Sequence, residues 1–69
     1  MTIYVVICSG NFTDTINGEA MMADKVELIK ASKDYSALIA ELETGKVQPS
    51  EPDKWGVCAI GVYPVEFPS

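Results

Sequence analysis

The sequence predicts an α+β domain: a three-stranded antiparallel sheet of strand order 2-1-3, with one helix packed on one face. Three observations carry this. Residues 2–8, Thr-Ile-Tyr-Val-Val-Ile-Cys, are β-branched and aromatic and end at Ser9-Gly10-Asn11, as a strand does. Tyr35, Leu38, Ile39 and Leu42 fall at i, i+3, i+4 and i+7, the apolar stripe of a helix. Residues 55–67 alternate with period two and form the last strand.

The elements follow in order. Val5, Val6 and Ile7 run without polar interruption, which suits a central strand. Residues 9–24 read as a long connection with Ser9-Gly10 and Asn17-Gly18 as turn signals and Phe12 and Ile16 as apolar anchors. Connections of that length often carry binding residues. Residues 25–31 fit a second strand; a helix from Glu19 to Ala31, with Met22, Val26 and Ile29 on one side, is the competing reading. Ser32 stands as the helix N-cap, Asp34 lies in the first turn, and Gly45 ends a helix of about 33–44. Residues 46–54, with two prolines and four charges, form a loop.

In the last strand Trp55, Val57, Ala59, Gly61, Tyr63, Val65 and Phe67 share one face by alternation, with Gly61 marking a bulge and Pro64 an edge position. The strands on either side of the helix flank the first, joined by a right-handed crossover. One helix covers one face of the sheet and leaves the other bare.

Sixty-nine residues make one domain, 1–69, with a thin core. No apolar run approaches the roughly 20 residues that span a bilayer, and Met1-Thr2-Ile3-Tyr4 lacks the positive start of a secretion signal. The expectation is a cytoplasmic protein. Cys8 and Cys58 each lie in an apolar stretch and read as two buried free thiols; a bridge between neighbouring strands is the other reading.

The chain has no histidine and no arginine, and a net charge of -5. General acid–base work most often uses histidine, and the serines and cysteines lack a base to activate them. Thr44-Gly45-Lys46 lacks the first glycine of a P-loop and follows a helix instead of preceding one. The expectation is a protein with no enzymatic activity, no cofactor and no metal site. Phosphate backbones would repel the chain, so direct nucleic-acid binding is not expected either.

What remains is binding to a protein with a basic surface, as monomer or homodimer. Candidate contact residues are the acids Asp14, Glu19, Asp24 and Glu27 and the aromatics Trp55, Tyr63 and Phe67, since aromatics are enriched at interface hot spots. The layout resembles small phage-encoded ββαβ accessory and inhibitor proteins. The similarity is carried by Met1 to Val6 (Met-x-x-Tyr-Val-Val), Ala31-Ser32-Lys33 at the helix start, and the aromatic and acidic end Tyr63 to Phe67. The long 9–24 segment and the Pro-rich 46–54 segment depart from it. The resemblance implies an inhibitor or regulator of a host nucleic-acid-binding or defence complex, acting in the host cytoplasm. An acidic face mimicking nucleic acid is one route; self-association through a sheet edge or the open sheet face, as an assembly subunit would use, is the alternative.

Overall fold

In the computed structural model, which describes residues 1–68, three strands form one antiparallel sheet. Strand β1 (Thr2–Ile16) lies in the middle, between β2 (Glu19–Ser32) and β3 (Trp55–Glu66). Helix α1 (Tyr35–Glu43) follows β2, and a short 3-10 turn, Pro52–Lys54, leads into β3. The order 2-1-3 is the expected one, and β1 carries the uninterrupted Val5-Val6-Ile7 run in the central position.

The main departure is the segment 9–24. It is not a loop but the continuation of both strands, closed by a two-residue turn at Asn17-Gly18. Both turn residues have positive φ, 54° and 82°. That is the backbone a type I′ hairpin requires, and Asn-Gly is the pair that adopts it most readily. The long-helix alternative for 19–31 is likewise excluded, since these residues pair with β1 from Ile16↔Glu19 to Tyr4↔Ser32. Strand β3 pairs with β1 only as far as Phe12↔Trp55. Beyond that point the hairpin runs on as a two-stranded arm, and the molecule reaches 46 Å in its longest dimension.

Two irregularities set which side chains share a face. Ile29 is an extra residue in β2, between the pairs Val6↔Lys30 and Ile7↔Leu28. It packs with the residues under the helix. Gly56 is an extra residue in β3, between Asn11↔Val57 and Phe12↔Trp55. One inserted residue reverses the alternation, so Trp55 lies on the opposite face from Val57 and Tyr63. The expected bulge at Gly61 is absent: Gly61 pairs in register with Ile7.

The N-cap of helix α1 is Asp34, not Ser32. The Asp34 carboxylate accepts from the Ala37 N–H at 3.0 Å, while Ser32 Oγ accepts from the Asp34 N–H one step earlier. At the other end Gly45 (φ 74°) allows a Schellman closure: the Gly45 N–H donates to Leu42 C=O and the Lys46 N–H to Glu41 C=O. This turn aims Val47 inward, where it joins Val6 and Leu38 in the core, with Tyr4, Ile29, Leu42 and Val62 around them. Tyr35 lies edge-on to Tyr4, and Lys30 pairs with Glu41 across the strand–helix gap.

Candidate functional site

The two faces of the sheet differ in cover. On the helix side, α1 lies over the start of β1, and residues 46–54 continue the cover toward its middle. The loop is pinned by Glu27, whose carboxylate accepts from the Ser50 backbone N–H at 2.7 Å and from Ser50 Oγ at 2.8 Å. These bonds, chiefly the backbone one, hold Glu27 below the usual carboxylate range, helped by Lys25 and opposed by partial burial. The Trp55 indole N–H donates to Ser50 C=O at 3.3 Å, and its ring meets buried Phe12 edge-on at 5.2 Å. The Lys25 ammonium sits 3.8 Å from the centre of the Phe12 ring.

Cys8 and Cys58 form a disulfide on this side, with Cα atoms 6.0 Å apart. This corrects the expectation of two free buried thiols. Cys8 faces Ile60 and Cys58 faces Gly10, so the two are diagonal neighbours on adjacent strands. Cys8 is fully buried and Cys58 is exposed. Apolar neighbours in sequence described the first and not the second.

The other face has no cover. Cross-strand partners place Ile3 with Val65, Val5 with Ala31 and Tyr63, Ile7 with Leu28 and Gly61, and Ser9 with Val26 and Ala59. These four rows carry no charge. Antiparallel sheets with one face in water normally alternate apolar inward and polar outward; here the bare face is apolar, and β2 carries its charges, Lys25, Glu27 and Lys30, on the helix side. Val26 is 70% exposed, Leu28 61% and Tyr63 53%. The Tyr63 side chain lies over Gly61, where an added Cβ would come within 2.7–2.9 Å of its hydroxyl oxygen and two ring carbons, so the glycine is the seat of the ring. The next row, Asn11 with Asp24 and Val57, is where polarity begins.

No protein-family model, curated protein or solved structure matches this chain.

The structure disperses the candidate acids. Asp14 and Glu19 lie on the arm, on the helix side of the sheet by register, while Asp24 lies on the bare side. Glu27 is engaged by Ser50. The aromatics separate as well: Trp55 belongs to the loop cover, Tyr63 to the bare face. Phe67 follows β3, where its backbone N–H donates to Met1 C=O. Val26, Leu28 and Ile7 were not among the candidates, although Lys25-Val26-Glu27-Leu28 shows the alternation that puts Val26 and Leu28 together. A shallow groove of about 260 Å³ runs along the arm beside Phe12, Asp14, Ile16 and Met21. Among the described residues no group of three or more His, Cys, Asp or Glu side chains could hold a metal ion. Among them, too, no helix is long and apolar enough to cross a membrane.

Proposed function

We propose that the chain is a non-catalytic protein-binding module, an inhibitor or regulator that acts by occupying a surface. Its docking surface is the uncovered face around Ile7, Leu28, Val26 and Tyr63. The observation that carries this is a charge-free face of four rows on which Val26, Leu28 and Tyr63 stand open to water. Contiguous apolar patches beyond a few hundred Å² mark interaction sites in folded proteins. Acidic mimicry of nucleic acid has less support, because the four acids point to both sides of the sheet and one of them anchors a loop. A basic partner stays compatible with the net charge of -5, which would steer association without supplying the contact. Phage origin and a host defence target are what the resemblance of Met1 to Val6, Ala31-Ser32-Lys33 and Tyr63 to Phe67 implies. A cytoplasmic location meets a counter-argument in the Cys8–Cys58 bridge, since such bridges persist mainly in oxidising compartments.

The test compares capture of cellular proteins by the parent, by Leu28→Lys and by the double variant Asp14→Asn/Glu19→Gln. Capture lost with Leu28→Lys and kept by the double variant supports the face. The reverse pattern sinks it and restores the acids.

A further inference from the structure

We propose that in the free protein the occupant of the bare face is a second copy of this chain, giving a face-to-face sheet dimer that a target displaces. The inference rests on the reading of that face as a docking surface and names what docks there. Area is the first argument. Strands about 4.8 Å apart and rows about 6.8 Å apart give the four charge-free rows a flat footprint of about 14 × 27 Å. Two such faces make about 760 Å² laid flat, and the relief of exposed Val26, Leu28 and Tyr63 raises the accessible area they bring together to about 1,200 Å², the lower edge of specific interfaces.

Chemistry is the second argument. Between Ile3 and Ser9 the paired positions carry no charge, so two copies of this face meet there without like-charge repulsion. A surface of apolar side chains with small residues among them, Ala31, Ala59 and Gly61, matches itself, as a two-fold interface requires. Sheets pack this way about 10 Å apart with their strands nearly aligned. The Tyr63 ring over Gly61 stands as the aromatic anchor.

Charge sets the orientation. Asp24 bounds the face at one end only. If the copies ran in the same direction, the two-fold would set β2 of one against β3 of the other and leave the two Asp24 carboxylates at the same end of the interface, about 14 Å apart. With the copies reversed about the Ile7 row, they lie at opposite ends, about 27 Å apart. The reversed arrangement keeps the two charges farther apart. The remaining acids contribute to a net charge of -5 per copy, so added salt screens repulsion between the copies without touching the apolar contact.

Sedimentation equilibrium of the oxidised protein, from about 1 μM to 1 mM, tests this. The expected result is a concentration-dependent doubling of mass that is unchanged or strengthened from 0.05 to 0.5 M salt. Leu28→Lys and Val26→Lys, both at exposed positions and each checked for an unchanged urea midpoint, should weaken the dimer at least a hundredfold. Asp24→Asn should leave it within about threefold; a gain of tenfold or more would overturn the reversed arrangement. A parent that stays monomeric at 1 mM overturns the dimer, as does self-association that both lysine variants retain. Either outcome leaves the docking surface itself standing if Leu28→Lys still abolishes capture of another protein.

Discussion

Replacing Cys58 with serine should remove most of the stability of this domain. Cys58 is the better site because it is exposed, whereas a change at fully buried Cys8 would add a packing loss. The bridge joins positions 50 residues apart. In the chain-entropy account, closing a loop of that length removes about 14 cal/mol/K from the unfolded chain, or about 4 kcal/mol at 25 °C. Domains of this size hold only about 3–5 kcal/mol in total. A urea dependence of about 1 kcal/mol/M converts the loss into a midpoint shift of about 4 M. Trp55 is the natural reporter, since its ring contacts Phe12 and its N–H reaches Ser50, and both contacts vanish on unfolding. Urea titrations followed by Trp55 fluorescence should place Cys58→Ser and the reduced parent at the same low midpoint, far below the oxidised parent. A variant midpoint within about 0.5 M of an oxidised parent whose bridge is verified by mass would refute the loop-closure reasoning.

Three other outcomes follow from the same structure. Leu38, 1% exposed, is the one helix residue fully enclosed by the core, so Leu38→Ala should cost about 3 kcal/mol by urea denaturation. Gly10 lies against the Val57 backbone carbonyl, where no Cβ fits and no side chain can yield. Gly10→Ala should therefore cost at least about 2 kcal/mol, and a midpoint equal to the parent's would show the strands are farther apart. Glu27, with its pKa lowered by Ser50, contributes stability that is fully present above its unfolded value and is lost as pH falls through the lowered folded value. Urea midpoints between about pH 6 and 2 should fall more steeply for the parent than for Glu27→Gln in that acid window.

Much of the fold was legible in the sequence, and the misreadings have definite physical causes. The apolar run Val5 to Ile7, the stripe of Leu38 and Leu42, and Gly45 as terminator each report a local rule, and each appears in the structure. Residues 9–24 were misread because Ser9, Gly10, Asn11 and Asp14 lower strand propensity along a stretch whose pairing supplies the missing stability. Asn17-Gly18 between Ile16 and Glu19 was the available hairpin signal. The aromatic face was misassigned because a bulge is a tertiary choice: alternation runs unbroken through Trp55-Gly56-Val57, and only the pairing with Asn11 and Phe12 shows the extra residue. The cysteine pair was hidden for the same reason, since register alone brings Cys8 diagonal to Cys58. The bare face was foreseen from the count of one helix for a two-sided sheet, but its centre at Ile7, Leu28 and Val26 needed the register of β2.

The central claim is that binding runs through this face and not through the acids. A methyl and aromatic NMR map of the protein in its bound state, against the dilute free state, tests it most directly. The account predicts shifts concentrated on Ile3, Ile7, Val26, Leu28, Ala59 and Tyr63, with Leu38 and Val47 unmoved. Shifts gathered instead on Ile16, Met21 and the neighbours of Asp14 and Glu19, with Leu28 and Tyr63 silent, would contradict it.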